Sequence, residues 1–383
     1  MHTKKAKVMA GNPSINKSLY RLVRFMVHDA MIAIDFPDGT RTLILREIEI
    51  DRAKKYAKAD RVYGYSDFTP QGSKLSGDRE TAAAQSTAEC LRRNGITNVI
   101  GDRTLPFIYI DEMQSSGIEV ELDYDLGVTE RRIKDDEEVA HLRQAQKVTE
   151  DAMIMACETV VNAIPESNGV LLVDKEPLTS ERLRAMIDIF LLERNFFNPP
   201  CIVACGSDGG DCHELGSGKL ITGQPIIIDI FPLDKSSMYN GDCTRTVVHG
   251  EISEEIIKMH SAVVAAKEAA TTATKAGATG EIVHLETIRV LLEHGYQEGL
   301  PKESDPATFC SMPHGTGHGI GLDVHEPPLL DRNGATLLAG DVVTIEPGLY
   351  SKNIGGIRVE DMVLVTKDGC ENFNTLPEGL EWC

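Results

Sequence analysis

The chain has 383 residues, a length that favours two domains over one. Its formal charge of −20, from 39 basic and 59 acidic residues, argues against non-specific binding to nucleic acids or to an anionic membrane. The apolar content of 42% is that of a soluble globular protein, and no apolar run approaches the ~20 residues of a membrane-spanning helix.

The nine cysteines are scattered along the chain, and the N-terminal residues lack the apolar core of a secretory signal. We therefore expect reduced thiols and a cytoplasmic protein. Cys201, Cys205 and Cys212 lie close enough in sequence to suggest a zinc site, but their spacing matches no common pair of zinc ligands. We expect free thiols at these three positions.

The first 130 residues alternate between apolar segments typical of strands and polar segments typical of helices. Residues 30–36 and 98–102 favour strands, whereas 51–58 and 79–94 favour helices. Such alternation predicts an α/β domain, residues 1–130, with a mostly parallel or mixed sheet. No phosphate-binding glycine motif follows a strand here, so we expect this domain to wall a site or to form an oligomer interface.

A long amphipathic helix is predicted to open a second domain, residues 131–383. Asp135 or Asp136 can cap its N-terminus, and apolar residues recur at helical spacing as far as Ala156. Further helices are predicted over 180–195, over 252–277 with Gly277 at the end, and over 281–295.

Three histidines lie in one glycine-rich stretch near the C-terminus, HGTGHGIGLDVHEPP, residues 314–328. They are His314, His318 and His325. The glycines between them allow the backbone to approach a ligand closely. A flexible loop with incidental histidines is the alternative, so the interpretation depends on what surrounds the stretch.

Four carboxylates flank this stretch, each beside an apolar, strand-like segment. Asp229 and Asp242 precede it, 13 positions apart (242 − 229), and Glu346 and Glu360 follow it, 14 positions apart (360 − 346). In each pair the first acid ends an apolar strand and the second opens another strand after a turn. This similarity predicts two related halves that face each other across one site.

Buried carboxylates must be paired, protonated or bound to metal, because burial of a lone charge is very costly. For any single one of the four, an exposed acid that holds a turn is an equal alternative. Four carboxylates with His318 between them favour a site for two divalent cations. Oxygen ligands with one imidazole suit Mn²⁺, Co²⁺, Fe²⁺ or Zn²⁺.

The motifs IIIDIF, DCTRT, HGTGHGIGLDVHEPP, TIEPGLY and GIRVED together resemble those of the pita-bread metallopeptidases, in the branch of aminopeptidase P and prolidase. The resemblance extends over residues 131–383, and the first domain is similar to the creatinase-type N-terminal domain in position and character. It implies an α/β (α+β) protein. An N-terminal domain with a mixed sheet, residues 1–130, would precede a catalytic pita-bread domain of two pseudo-symmetric halves, residues 131–383.

The resemblance also implies the ligands of two divalent metal ions, with Mn²⁺ expected and Co²⁺, Zn²⁺ or Fe²⁺ as alternatives: Asp229, Asp242, His318, Glu346 and Glu360. Asp242 and Glu360 would bridge the two ions. Glu346 would also take the proton from the attacking water. All five ligands are present, which argues against the metal-free, creatinase-like branch of the family.

Four further residues receive roles by the same resemblance. His325 would hydrogen-bond the scissile carbonyl or the developing oxyanion, His213 would contact substrate near the proline, and His314 would line the pocket. Arg358 would support the bridging carboxylates. For His213 an incidental loop histidine is the alternative, and for Arg332 we prefer a solvated surface arginine to a ligand of the substrate carboxylate.

The implied activity is hydrolysis of the N-terminal Xaa-Pro bond of a peptide by a hydroxide that bridges the metal ions, in a homodimeric enzyme. The spacing between Asp229 and Asp242 is wider than usual for the family, so residues 233–240 carry a small insertion that lengthens the turn or reshapes the pocket rim. A non-proline aminopeptidase, another amidohydrolase or a non-catalytic binding scaffold are the alternatives.

Overall fold

The computed structural model describes residues 5–306 and 308–382, and the chain divides into two compact units, residues 1–131 and 132–383. The helices and strands of the first unit, with one helix at the boundary, are β1 Ala6–Gly11, α1 Lys17–Val23, β2 Met31–Asp35, β3 Arg41–Leu45, α2 Ile50–Tyr56, β4 Arg61–Gly64, α3 Arg79–Arg93, β5 Asn98–Asp102, α4 Phe107–Ser115, β6 Glu119–Asp123 and α5 Val128–Arg132. Asp78 caps α3 by accepting a hydrogen bond from the Thr81 amide, which fixes where that helix begins.

The first unit is built on a six-stranded mixed sheet with the order β4-β3-β2-β1-β5-β6. The strands β1 to β3 pair antiparallel, whereas β4, β5 and β6 each join a neighbour in parallel. The small residues Ala83, Ala84 and Ala88 of α3 pack in one hydrophobic cluster with sheet residues such as Ile32 and Val99. The prediction of an α/β unit with a mixed sheet is confirmed.

The second unit carries the remaining elements. They are α6 Asp136–Val161, β7 Ile164–Pro165, β8 Leu171–Val173, β9 Glu176–Pro177, α7 Ser180–Leu192, β10 Phe196–Phe197, β11 Ile202–Cys205, β12 Pro225–Ile230, β13 Leu233–Asp234, β14 Cys243–Val248, α8 Glu254–Ala273, α9 Gly280–Glu293, β15 Gln297–Glu298, β16 Ser311–Met312, β17 Gly317–Gly319, β18 Glu326–Leu330, β19 Val342–Ile345, β20 Gly348–Ser351, β21 Gly355–Arg358, β22 Asp361–Val365 and β23 Cys370–Asn372. Among the helices of the described residues, none is long and apolar enough to cross a membrane.

The helices of the second unit begin and end at identifiable signals. Asp135 caps α6 in a capping box, because its side chain accepts from the Glu138 amide while the Glu138 carboxylate accepts from the Asp135 amide. The prediction that α8 runs to Gly277 is wrong. The helix ends at Ala273, because Thr274 takes an extended conformation and the Ala276 amide donates to the Thr366 carbonyl instead of continuing the helix.

Two sheets with similar strand pairs position the carboxylates. In one sheet, of order β11-β12-β14, the antiparallel pair β12 and β14 places Ile230 opposite Cys243. In the other, of order β18-β17-β19-β22-β23, the antiparallel pair β19 and β22 places Ile345 opposite Asp361. The connections differ, since the short strand β13 lies in the first and the whole hairpin β20–β21 lies in the second, where the sequence predicted a simple turn.

The hydrophobic core of the second unit lies behind these sheets. All six residues of β12 are buried, and its isoleucines Ile226 and Ile228 share a cluster with Met153 of α6 and Leu183 of α7. A strand buried on both faces needs a continuous apolar sequence, which explains the run PIII before Asp229. The carboxylate of Asp229 is thus carried into the interior by a strand with little freedom to move.

Candidate metal centre

The structure brings the five predicted ligands to the wall of one cavity. Asp229 lies on β12, Asp242 directly precedes β14, Glu346 directly follows β19 and Glu360 directly precedes β22. His318 is the central residue of β17, which pairs with β19 through Gly319 and Val343. The two strand pairs and β17 therefore deliver all five side chains to the same place.

Three of the five side chains form a compact buried cluster. One ligand atom from each of Asp242, His318 and Glu360 lies within 4.8 Å of the other two. His318 Nε2 is 3.7 Å from Asp242 Oδ2 and 3.3 Å from Oε1 of Glu346. The other ring nitrogen, Nδ1, lies 3.1 Å from the Gly319 carbonyl oxygen and donates to it, so Nε2 is the atom presented to the carboxylates.

The buried carboxylates repel one another electrostatically. Burial, followed by the charge of Glu360, raises the pKa of Asp242 well above its ordinary value, and burial, followed by the charge of Glu346, does the same to the pKa of Glu360. Burial also opposes charge on Glu346 and His318, but their mutual hydrogen bond and the charges around them together outweigh it, lowering the pKa of Glu346 and raising that of His318. Such a cluster is stabilised by added positive charge.

The residues fit divalent cations by three observations. Asp229 Oδ1 is buried and has no hydrogen-bond partner among the described residues, so this oxygen is available as a metal ligand. Asp242 and Glu360 repel one another in the absence of compensating charge. The donor set of four carboxylates and one imidazole matches Mn²⁺ and its first-row neighbours. The side chains that would hold the ions are those five.

Arg358 connects the centre to its surroundings. Its guanidinium is buried and donates to Asp229 Oδ2 (2.6 Å), the Tyr350 hydroxyl (2.8 Å), the Thr244 hydroxyl (3.2 Å) and the Cys212 carbonyl (3.2 Å). One side chain thereby fixes a carboxylate of the centre and, through Cys212, the loop that precedes β12. The sequence predicted that Arg358 supports the bridging carboxylates Asp242 and Glu360, but the carboxylate that it contacts is Asp229, and the Thr244 hydroxyl connects it to Glu360.

Four supporting residues were not predicted from the sequence. Thr244 donates to Glu360 Oε2 (2.7 Å), and Thr344 accepts from the His318 amide (3.1 Å) while donating to Glu346 (3.3 Å). Gln146 of α6 brackets the Asp242 backbone with bonds of 2.7 and 2.9 Å. The fourth residue is Tyr350, whose hydroxyl accepts from Arg358. The two threonines and Tyr350 lie inside the motifs DCTRT and TIEPGLY, so the sequence offered a signal for them. No sequence signal marks Gln146.

The cavity beside the carboxylates has a volume of about 370 Å³ and holds the three predicted substrate-contacting histidines, His213, His314 and His325. His325 is exposed to the cavity, and its ring lies 4.2 Å from that of His318, edge to face. Both ring nitrogens of His314 are hydrogen-bonded, Nδ1 to the Gly315 carbonyl (2.7 Å) and Nε2 to the Tyr350 hydroxyl (2.9 Å). Burial lowers the pKa of both His314 and His325, which favours neutral imidazoles.

Apolar side chains also line the cavity, so a small hydrophobic group fits beside the polar centre; they are Ile202, Leu215, Phe231, Val324 and Leu329. Arg332 does not line the cavity. It is a half-exposed residue whose guanidinium pairs with Glu298 at 2.7 Å, as preferred for it from the sequence.

The insertion between Asp229 and Asp242 folds in two parts. Its first residues form β13, which pairs with the short strand β10. Its last residues, Tyr239 and Asn240, are buried, and Asn240 donates through its amide nitrogen (3.0 Å) and its side chain (2.9 Å) to the Gly321 carbonyl. The insertion therefore reaches the glycine-rich stretch between His318 and His325.

A buried carboxylate–imidazole centre at the wall of a cavity, on this fold, defines a metal-dependent enzyme. The family model of metallopeptidase family M24 matches residues 140–367, more than half of the chain, and the chain belongs to that family. Every one of the five candidate ligands lies within the matched region.

Known relatives and solved structures agree with this assignment. The chain is 29% identical to the Xaa-Pro dipeptidase of Pyrococcus horikoshii over 283 residues, 73% of each chain. It is 28% identical to the Xaa-Pro dipeptidase of Pyrococcus furiosus over 346 residues, 85% of this chain and 94% of the relative. The structure superposes on prolidase from Pyrococcus horikoshii with a TM-score of 0.77 at 24% identity, covering 99% of this chain and 96% of that one.

A second solved structure, the X-Pro aminopeptidase of Thermotoga maritima, gives a TM-score of 0.78 at 24% identity, covering 98% of this chain and 96% of that one. At such identities the likeness shows the fold. The fold is therefore that of the pita-bread enzymes with an N-terminal domain, as the sequence motifs predicted.

Proposed function

We propose that this enzyme hydrolyses the N-terminal Xaa-Pro bond of peptides with the help of two divalent metal ions. The observation that carries the proposal is the single cavity that joins five candidate metal ligands to three histidines and an apolar wall. The Xaa-Pro dipeptidases of two Pyrococcus species among its relatives support the choice of substrate.

The chemistry of the Xaa-Pro bond explains why such a site is needed. The bond is a tertiary amide without an N–H group, and the proline ring fixes the backbone, so sites that recognise an amide hydrogen handle it poorly. A wall of Phe231, Leu215 and Leu329 offers apolar surface for the ring. Histidines that line the same cavity can hydrogen-bond the carbonyl oxygen of the Xaa-Pro bond, which is an acceptor in this bond as in any other peptide bond.

The side chains that would hold the ions are Asp229, Asp242, His318, Glu346 and Glu360. Mn²⁺ is the proposed metal, with Co²⁺, Zn²⁺ or Fe²⁺ as alternatives, because oxygen ligands predominate. When bound, two such ions lower the pKa of a water molecule and offset the charge that develops on the substrate oxygen.

The protein side chains would divide the remaining tasks. Glu346, ionised and next to His318, accepts the proton of the attacking water. His325, exposed to the cavity and favoured in its neutral form, donates a ring N–H to the scissile carbonyl as it becomes an oxyanion. His213 and His314 contact the substrate, and Arg358 holds Asp229 in place.

A creatinase-type N-terminal domain (residues 1–130), a pita-bread catalytic domain (residues 131–383), a homodimeric assembly and a cytoplasmic location complete the proposal. The domain and assembly assignments are supported by the resemblance of the sequence motifs. The location is supported by the eight free cysteines among the described residues. Sedimentation velocity of the purified protein would test the dimer, and a monomer at micromolar concentration would exclude it.

The test of the activity uses protein stripped with a chelator and reloaded with Mn²⁺, Co²⁺ or Zn²⁺. Release of the first residue would be followed from Ala-Pro, Ala-Pro-Ala and Ala-Ala-Ala. Cleavage of either proline peptide with no cleavage of Ala-Ala-Ala supports the proposal, and the two proline peptides separate a dipeptidase from an aminopeptidase. Cleavage of Ala-Ala-Ala alone would replace it with a non-proline aminopeptidase. Inactivity with every metal would favour a binding scaffold.

A further inference from the structure

The loop that carries His325 is closed at its base by the pairing of β17 with β18. Gly319 lies opposite Glu326, so residues 319–326 leave and re-enter the sheet at one point. Side chains alternate along β18, with Glu326 buried and its neighbours on either side exposed. His325 therefore faces the cavity while Glu326 points away from it into the protein.

Glu326 is held in the interior by an ion pair with Lys134. Oε1 of Glu326 is 2.7 Å from Nζ of Lys134, and the two side chains are 3% and 1% exposed. Gly321 makes room for the pair, since a Cβ atom at that position would lie 2.7 Å from Oε1 of Glu326. The ion pair favours this position of Glu326, because the buried carboxylate and the buried ammonium compensate each other's charge.

Lys134 is itself fixed by the backbone around it. Its amide donates to the Gly340 carbonyl at 3.1 Å, and the next residue, Asp135, is the N-cap of α6. Two residues earlier, the partly buried Arg132 forms a separate ion pair with Asp341, and the position of Lys134 does not depend on that pair for the two contacts just given. Lys134 is thus a rigid anchor, and it does not line the cavity that would hold the substrate.

The tip of the same loop has its own anchor. Asn240 makes two hydrogen bonds to the Gly321 carbonyl, and the Gly321 amide bonds to the Asp323 carbonyl at 3.1 Å. Asn240 precedes the candidate ligand Asp242 by two residues. The loop is therefore fixed at both its tip and its base, and the base contact is the one adjacent to His325.

We propose that Lys134 is a positioning residue for His325, acting through the ion pair with Glu326. The inference rests on the proposed function in one respect, the role of His325 at the scissile carbonyl. Displacement of Glu326 rotates the strand at residues 325–326 and moves the imidazole relative to His318, its neighbour at 4.2 Å. A displacement of about 1 Å in a catalytic group can cost on the order of 100-fold in rate.

The kinetic test compares Lys134→Met with two other variants, all loaded with Mn²⁺ and assayed on Ala-Pro-Ala. Lys134→Met is expected to lower kcat by roughly 10- to 100-fold with KM within about twofold, because the substrate-binding wall is unchanged. Lys134→Arg restores an ion pair and is expected to recover most of kcat. Arg132→Met is the matched control, since it breaks a partly buried ion pair, Arg132 with Asp341, on the same segment.

A readout that needs no turnover is the rate at which diethylpyrocarbonate modifies His325, followed by mass spectrometry. The rate in Lys134→Met is expected to differ at least about threefold from the wild type, and Lys134→Arg and Arg132→Met are expected to match the wild type. If Lys134→Met does not fold, Glu326→Gln serves instead, because it weakens the contact while keeping a hydrogen-bond acceptor.

The outcomes separate the two proposals. Unchanged modification of His325 in folded Lys134→Met, or an equal loss of kcat in Arg132→Met, overturns the positioning role. If the wild type cleaves no proline peptide but modification of His325 still depends on Lys134, the contact is established and the proposed function fails.

Discussion

Nη2 of Arg358 lies 2.6 Å from Oδ2 of Asp229, and this contact gives the two carboxylate oxygens of Asp229 different surroundings. One oxygen is neutralised by the guanidinium, whereas the other, Oδ1, is buried without a hydrogen-bond partner among the residues that the structure describes. A carboxylate held in this way has one oxygen reserved for a ligand. The same guanidinium fixes Tyr350 and the Cys212 carbonyl, so the orientation of Asp229 is coupled to the cavity wall.

Replacement of Arg358 by lysine is expected to weaken Mn²⁺ binding by about 10- to 100-fold. A lysine keeps the charge, but its single ammonium cannot reach the four acceptors that the planar guanidinium serves. Isothermal titration of the stripped protein measures the loss. The matched control is Arg332→Lys, because Arg332 is an exposed arginine that pairs with Glu298 and does not line the cavity, so this change should leave the affinity unchanged. Equal losses in both variants would contradict the account.

Glu346→Gln and Asp242→Asn are expected to fail in different ways. Glutamine keeps an oxygen at the site but cannot accept a proton, so kcat should fall by at least about 100-fold while most of the metal is retained. Asparagine at 242 removes a carboxylate from the buried cluster that Asp242 forms with His318 and Glu360, so metal content itself should fall. Metal analysis and turnover on the same samples distinguish the two. Retained activity in metal-loaded Glu346→Gln would remove Glu346 as the base.

The stabilisation of the protein by Mn²⁺ is expected to grow as the pH rises above the ordinary carboxyl range and through the raised pKa values of Asp242 and Glu360. The pKa values of Asp242 and Glu360 are raised in the folded protein, by burial first and by neighbouring carboxylates second. Their protonation therefore stabilises the fold fully below their ordinary pKa values near ~4, and this stabilisation is lost as the pH rises through the raised values. Metal ions compete with those protons and replace the lost stabilisation.

Thermal unfolding of stripped and loaded protein across this pH range measures the effect. The difference in Tm between the two forms should widen with pH in the wild type and should be nearly constant in an Asp242→Asn, Glu360→Gln double variant. A difference that does not depend on pH in the wild type would show that the two carboxylates do not bind the metal.

Gly317→Ala is expected to displace His318 and to lower metal affinity more than the same substitution at a glycine with open space around its Cβ position. A Cβ atom at Gly317 would lie 2.0 Å from the Thr344 carbonyl oxygen, a backbone atom of the neighbouring strand that cannot move aside cheaply. Gly369→Ala is the control, because nothing lies within 4 Å of its Cβ position. Circular dichroism and Mn²⁺ titration of both variants test this, and wild-type affinity in folded Gly317→Ala would contradict it.

The sequence predicted which residues meet because their positions were marked by local patterns. Asp229 follows a run of isoleucines that only a buried strand accommodates, and the glycines around His318 mark close backbone approach. Their metal-binding and catalytic roles remain predictions, whereas their convergence on one cavity is a property of the structure.

Other features depend on long-range contacts that leave little trace in a single sequence. Gln146 reaches Asp242 across 96 positions, and Lys134 reaches Glu326 across 192, yet each occupies an ordinary position near or within an amphipathic helix. The end of α8 was mispredicted for a similar reason, since the amide of Ala276, just after the helix, bonds to the carbonyl of Thr366, 90 positions later (366 − 276) and directly after β22. Local patterns place such residues on an element but do not identify their partners.

The central claim, that five side chains hold two metal ions which enable Xaa-Pro hydrolysis, is tested most directly by metal content and turnover measured together. Stripped protein would be titrated with Mn²⁺, and each sample would be analysed for bound metal and for release of alanine from Ala-Pro-Ala. We predict saturation at about two ions per chain, with turnover absent in the stripped protein and restored by the metal. Full turnover without metal, or saturation without any turnover, would contradict it.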